Sequence, residues 1–393
     1  MSKEEGGIYL HVPFCANKCL YCDFYSGGAR IADWALFIKS ISQELKLRKS
    51  ELNFHDSTLY IGGGTPSLIP PQFYYDLIRE LQSQIEKDSW EEFTLEVNPE
   101  DINETNTRVW KETGVNRISV GIQSFNNREL KAIGRRHELS VLPRQIDLIK
   151  KEFENISIDL IYGLPFQTVE SYRYSLKKAK ELDVNHISVY SLMLEENTAL
   201  THLAKLNKLK LPQENEWLEM SHLTVNFLEE NGYNRYEISN YCKPGYESRH
   251  NNYYWSGNPY IGLGPSAHSY DGNLIRRFNP NDLKGYLKFY GNYELNKNIR
   301  GTEINSKINK LFYEEETLSM NEKREENIMT RLRTVKGLLI EEFSSKFGNE
   351  AKENLLQNAL KYKKSGHLKE EGDRLSLTEK GFLIYNTVLS DLI

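Results

Sequence analysis

A chain of 393 residues with 39% hydrophobic and 27% charged side chains has room for two or three domains at roughly 100–200 residues each. Its net charge of −5 argues against general nucleic-acid binding, and no run approaches the ~18 apolar residues of a membrane span. No processing segment is read ahead of the first strand, so the sequence predicts a cytoplasmic protein whose thiols stay reduced. The 24 Tyr and 16 Phe suit half-buried core positions or a flat apolar ligand site, and composition leaves both open.

In chain order, Gly7 to Val12 reads as a short apolar strand ended by Pro13. Directly behind it Cys15, Cys19 and Cys22 form a C-x3-C-x2-C pattern within eight residues. Thiolates this close on a loop can wrap one corner of a [4Fe–4S] cubane, which has four irons and usually takes four thiolates. Three local ligands leave one iron open, and an open position marks a reactive site. A disulfide framework needs an even set in a secreted chain. Zinc usually takes two C-x2-C pairs, and only the distant Cys242 remains.

Asp33 to Lys49 then shows helical spacing through Ala35, Ile38, Ile41 and Leu45. Ser57 to Ile61 is a strand ended by Gly62-Gly63-Gly64-Thr65-Pro66, and a helix follows from Pro71 to Lys87. Phe93 to Val97 is a strand, Glu104 to Thr113 a helix, and Arg117 to Val120 a strand running into Gly121-Ile122-Gln123-Ser124-Phe125. A helical pair reaches about Lys151. Ile156 to Leu160 is a strand, Thr168 to Leu182 a helix and His186 to Ser191 a strand. Such alternation predicts an α/β fold on a parallel sheet. No GxGxxG follows the first strand, so a dinucleotide-binding fold lacks support, and a closed or partial barrel fits better. There chemistry collects at the C-terminal strand ends, which is where the cysteines, the Gly triplet, Glu96, Gln123 and Asp159 fall.

Glu214 to Glu230 is helical and Tyr233 to Ile238 a further strand. His250 to Tyr270, rich in Gly, Asn and aromatics, reads as loop, and Asn279 to Lys310 as a polar connection. Glu322 to Leu332, Ile340 to Phe347 and Lys352 to Ser365 are helical. Leu368 to Leu377 is a hairpin around Glu371-Gly372-Asp373, and Leu377-Thr378-Glu379-Lys380-Gly381 begins a last helix. Helices with a two-stranded wing look like a winged-helix domain. Without a basic stripe, packing or a lid suits that tail better than DNA binding. The predicted division is a barrel over residues 1–240, an aromatic-rich loop and connection over 241–300, and a winged-helix-like α+β domain over 301–393.

The stretch YLHVPFCANKCLYCDFYS resembles the radical S-adenosylmethionine (SAM) superfamily. Within it, HVPF with CDF, GGGTP, IDLIYGLP and HNNYYW resemble the branch of oxygen-independent coproporphyrinogen III oxidases and their relatives, the HemW heme chaperones. The resemblance is dense from Ile8 to about His268. It implies an open six-unit (βα)6 TIM-like partial barrel, a [4Fe–4S] cluster on Cys15, Cys19 and Cys22, and SAM near Tyr9, Tyr21, Gly63, Gly64, Thr65, Glu96, Gln123, Arg135, Asp159 and Ala267. Three glycines let a backbone approach a ligand and offer N–H donors; a tight turn or, for Glu96, a salt bridge is the plainer alternative. The oxidases carry another cysteine two residues after the third ligand, and here Phe24 stands there. HNxxYW, complete as His250 to Trp255, looks like the chaperones' heme-linked motif, which implies His250, Tyr254 and Trp255 as heme contacts. His and Tyr are axial ligands of heme iron; read without the resemblance, a loop His bonds locally. His268 is a second candidate ligand. The resemblance thus implies a chaperone handing heme to respiratory proteins, with oxidative decarboxylation of coproporphyrinogen III as the alternative. Homodimerisation and peripheral membrane contact stay open.

Overall fold

The computed structural model describes residues 5–28, 33–291 and 312–393. Six strands alternate with helices: β1 (Glu5–Val12), β2 (His55–Gly63), β3 (Glu92–Val97), β4 (Arg117–Gln123), β5 (Asn155–Tyr162) and β6 (His186–Ser191). Each pairs in parallel with the next. The connections carry α1 (Trp34–Arg48), α2 (Pro71–Ile85), α3 (Glu104–Glu112), α4 (Asn127–Ala132), α5 (Leu142–Glu152) and α6 (Val169–Glu181). One face of each strand buries Ile, Leu and Val. Ile8, Leu10, Leu59, Ile61, Leu95, Ile118 and Ile158 share one core with Phe37, Leu77, Trp110, Ile146 and Leu176 of the helices.

Beyond β6 come α7 (Ala199–Lys205), α8 (Glu214–Glu230) and the antiparallel hairpin β7 (Asn234–Arg235) and β8 (Asn240–Cys242), in which β8 pairs with β6. The segment read as loop from His250 to Tyr270 is instead ordered. It holds α9 (Arg249–Ser256), β9 (Tyr260–Leu263) and β10 (His268–Tyr270). The Ser248 hydroxyl accepts the Asn251 N–H, and left-handed Gly257 ends α9. β9 pairs in parallel with the free side of β1. β10, β11 (Ile275–Phe278) and β12 (Glu314–Thr317) continue outward antiparallel. Among the described residues the sheet order is β12-β11-β10-β9-β1-β2-β3-β4-β5-β6-β8-β7, an open sheet of twelve strands. The stretch read as a polar connection begins with α10 (Leu283–Gly291); residues 292–310 lie outside the described ones.

One buried carboxylate fastens this outer part to α1. Glu44 accepts bonds from Arg48 (2.9 Å), the Gly264 N–H (2.8 Å), Asn279 (2.7 Å) and the Tyr286 hydroxyl (2.7 Å). Four donors replace the water the charge has lost.

The tail comprises α11 (Met320–Leu332), β13 (Leu338–Leu339), α12 (Ile340–Phe347), α13 (Asn349–Lys364), β14 (Leu368–Glu371), β15 (Arg374–Leu377), α14 (Glu379–Leu383) and α15 (Tyr385–Leu392). The three strands form their own sheet, β13-β15-β14. Leu332, Phe343, Leu355, Leu375 and Val388 belong to a separate core.

Candidate functional site

At the C-terminal ends of the parallel strands lies a cavity of about 750 Å³, lined among others by Cys15, Cys19, Tyr21, Cys22, Gly63, Gly64, Thr65, Glu96, Gln123, Arg135 and Asp159. This volume is in the range of about 300–1,000 Å³ of small-molecule sites. The cysteine loop is held from several sides. Phe14–Cys15 pairs in parallel with Gly27–Gly28. The Gly64 and Thr65 N–H groups donate to the Val12 and Phe14 carbonyls at 2.8 and 2.7 Å, and Leu20 N–H donates to Ile133 at 3.0 Å. The Thr65 hydroxyl reaches Cys15 Sγ at 3.4 Å. Burial pushes the Cys19 and Cys22 thiols up; Arg135 opposes this at Cys19 and the Phe24 N–H at Cys22.

Glycine is required beside this loop. Gly63 sits at φ +108, and a Cβ there would lie 2.6 Å from the His11 imidazole; at Gly64 it would lie 2.6 Å from the Phe14 carbonyl. Gln123 also has positive φ, +71, next to a register shift between β4 and β5. Left-handed non-glycine backbone is costly and concentrates at functional sites.

The polar wall is built from alternate strand positions. Glu96 Oε1 accepts the Tyr60 hydroxyl at 2.7 Å, and its other oxygen accepts the Gly63 N–H at 3.2 Å. Burial, with Asp159 adding repulsion, pushes the Glu96 carboxyl up to about 7. Asp159 is raised by burial too, against the pull of the Ser188 hydroxyl and Arg117. Arg135 donates to Asn98 at 2.8 Å and to the Gly121 carbonyl at 2.7 Å. Two carboxyls facing an open cavity favour a ligand that carries positive charge.

Several expected residues lie elsewhere. Tyr9 is off the cavity lining, its hydroxyl 3.0 Å from His11 Nδ1. Ala267 is buried, and its neighbour Ser266 lines the cavity instead. His250, Tyr254 and Trp255 do not line it. His250 shares hydrogen bonds with Thr58 Oγ1 (2.7 Å, through Nδ1) and the Tyr254 hydroxyl (2.8 Å, through Nε2). It sits beside Gly7, where a Cβ would come within 2.8 Å of Nδ1, so α9 covers the N-terminal end of the first parallel strands. Burial pushes the His250 imidazole down to about 3, and it stays neutral. The buried Trp255 indole N–H has no partner among the described residues. His268 stacks on Phe278 at 5.6 Å. Cys242 pairs with His186 at the start of β6, the end opposite Ser191, which lines the cavity.

Lys18, Phe24, Asn98, Ser119, Tyr190, Met193 and Ser266 also line the cavity. None of them was among the expected contacts; Phe24 was singled out only as standing where the oxidases carry a cysteine. Ser119 and Tyr190 could have been found by carrying strand alternation to the ends of β4 and β6. Phe24 is 68% exposed and Met193 65%.

The donor set suits a cluster. Among the described residues no three His, Cys, Asp or Glu side chains close on a single ion, whereas a cubane takes each thiolate on a different iron. Residues 9–197 match the model of the Radical SAM superfamily, and 318–384 match that of the HemN C-terminal domain. The fold is similar to the solved structure of the Escherichia coli coproporphyrinogen III oxidase HemN, described as a radical SAM enzyme. The TM-score is 0.81 at 22% identity, over 100% of this chain and 90% of that one. Fold and sequence together define a radical SAM protein. The chain is 35% identical to the heme chaperone HemW of Lactococcus lactis, over 100% of its own length and 98% of that protein. With the Bacillus subtilis heme chaperone HemW it shares 32% identity over 97% of both. The chain belongs to the HemW family.

Proposed function

We propose that this protein is a cytoplasmic heme chaperone that passes heme to respiratory acceptor proteins. In this reading Cys15, Cys19 and Cys22 would hold a [4Fe–4S] cluster with one iron open to SAM. Glu96 and Asp159 would meet the cationic part of SAM, while Gly63, Gly64 and Thr65 would offer backbone at its other end. The cluster would supply an electron and the protein the positioning. The observation that carries the reading is the joint lining of one cavity by three cysteines and two half-buried acids, in a chain aligned end to end with heme chaperones. Phe24, where the oxidases carry a cysteine, favours transport of heme over decarboxylation of its precursor.

His250, Tyr254 and Trp255 remain the proposed heme-linked set. Coordination through either His250 nitrogen requires α9 to give up the bond to Thr58 or to Tyr254, whereas the Trp255 N–H is a donor without a partner among the described residues. The test is anaerobic reconstitution followed by heme titration and a decarboxylase assay. Heme uptake with a Soret band and no conversion of coproporphyrinogen III is the expected result. Robust decarboxylation without heme uptake would overturn the chaperone reading.

A further inference from the structure

HNNYYW is the one sequence motif that the cavity does not absorb, and its surroundings give it a second task. Interior-facing residues of β2 alternate as Thr58, Tyr60 and Gly62. His250 bonds the first, with Nδ1 2.7 Å from Thr58 Oγ1. It packs on the second: the His250 and Tyr60 rings lie 5.1 Å apart, tilted by 31°. The Tyr60 hydroxyl then donates to Glu96 at 2.7 Å. Glycines flank this line. A Cβ at Gly7 would lie 2.8 Å from His250 Nδ1, and one at Gly62 would lie 2.9 Å from the Tyr60 ring and 3.0 Å from the Glu96 carboxyl. Tyr9 closes another side, its ring 6.1 Å from that of Tyr60. His250 itself cannot slide. Glu92 accepts the Arg249 and His250 N–H groups at 2.8 and 3.0 Å, and Tyr254 holds Nε2 at 2.8 Å.

We propose that His250 is a positioning residue for the opposite end of the barrel, holding the Tyr60 ring where its hydroxyl reaches Glu96 and so setting the carboxylate that meets SAM. The inference rests on the proposed reading of Glu96. Without the imidazole the space beneath Tyr60 opens, the phenol drops, and Glu96 keeps only the Gly63 N–H. The motif then affects SAM affinity from the far side of the barrel, whatever it contributes to heme.

The test uses full-length, cluster-loaded protein, with SAM titrated against the EPR spectrum of the reduced cluster and heme titrated in parallel. Tyr60→Phe removes one hydroxyl and keeps the ring. It is expected to weaken SAM binding by about tenfold, the effect of losing one hydrogen bond to a charged group. His250→Ala is expected to do the same, and the double variant to be no weaker than Tyr60→Phe alone, because both act through one bond. If His250→Ala fails to hold a cluster, His250→Gln serves, since its amide can still bond Thr58 but offers Tyr60 no ring. Two independent losses that multiply, or variants that bind SAM like the wild type, overturn the inference alone. A wild-type spectrum indifferent to SAM overturns the reading of the cavity and the inference with it.

Discussion

Glu96 is the acid whose charge the cavity controls. Its carboxyl is raised from an ordinary 4.5 to about 7, so the folded chain keeps a proton that the unfolded chain has released. Stability contributed by the neutral acid is full below about 4.5 and lost as pH rises through about 7. A cationic ligand reverses the preference and binds the ionised form. SAM affinity is therefore expected to tighten by up to about tenfold between about pH 6 and pH 8, a trend that Glu96→Gln should flatten; anaerobic titration at the two pH values checks this, and a flat wild-type response rejects Glu96 as the contact. For the cysteines, Ala at Cys15, Cys19 or Cys22 is expected to abolish iron–sulfur absorbance. Cys242→Ala should retain it, because that thiol lies at the other end of β6. A colourless Cys242 variant would end the three-ligand reading. The cavity-lining cysteines, Glu96, Gln123 and Asp159 were legible because the cysteines follow β1 and the other three lie in the C-terminal halves of β3, β4 and β5. Tyr9 was not: it stands two residues back from His11 and hence one layer deeper. Resemblance alone cannot see that layering.

At the scale of elements, the strand–helix alternation was readable because each strand is a short β-branched run and each helix an amphipathic one. α9 and β9 were not. Asn and aromatic residues are poor helix formers, and tertiary contacts hold α9 in place of propensity. The local signs were Ser248 and Gly257, a cap at each end. Much of what fixes α9 comes from another strand: Glu92 accepts the Ser248 hydroxyl and the N–H groups of Arg249 and His250. Glu92→Gln is expected to cost about 1–3 kcal/mol in chemical denaturation, and an unchanged midpoint would show that packing alone holds α9. At the end of β2, Gly63→Val places a β-branched residue at φ +108 against His11. A loss of about 1–3 kcal/mol of stability is expected from the backbone alone, together with weakened SAM binding; a variant that melts and titrates like the wild type would contradict this.

On the scale of the whole molecule, two cores are joined in part through the β7–β8 hairpin, beside the Arg276–Glu326 ion pair between β11 and α11. The Arg235 guanidinium lies 4.0 Å over the Phe382 ring, Glu237 bridges to Thr334, and Val335 N–H donates to the Tyr236 carbonyl at 3.0 Å. Arg235→Ala removes a cation–π contact of about 0.5–2 kcal/mol and is expected to split calorimetric melting into two transitions, with the tail unfolding first. A single transition at the wild-type temperature would place the coupling elsewhere. The winged tail was readable from its hairpin, but the outer strands were not, since their partner β1 lies some 250 positions earlier and no local pattern records so distant a pairing. That pairing bears on biosynthesis. β1 emerges from the ribosome ahead of the other described strands, with the cysteines close behind, but β9, which covers its second edge, is made last among the parallel strands. At about 5–20 residues per second, the interval is roughly 12–50 s. For that time the strand leading to the cysteines has a bare edge open to other nascent chains, and the cysteine loop waits for its finished scaffold. A chain stopped before Tyr260 keeps the edge bare permanently and is expected to scatter light on release, where the full chain stays clear.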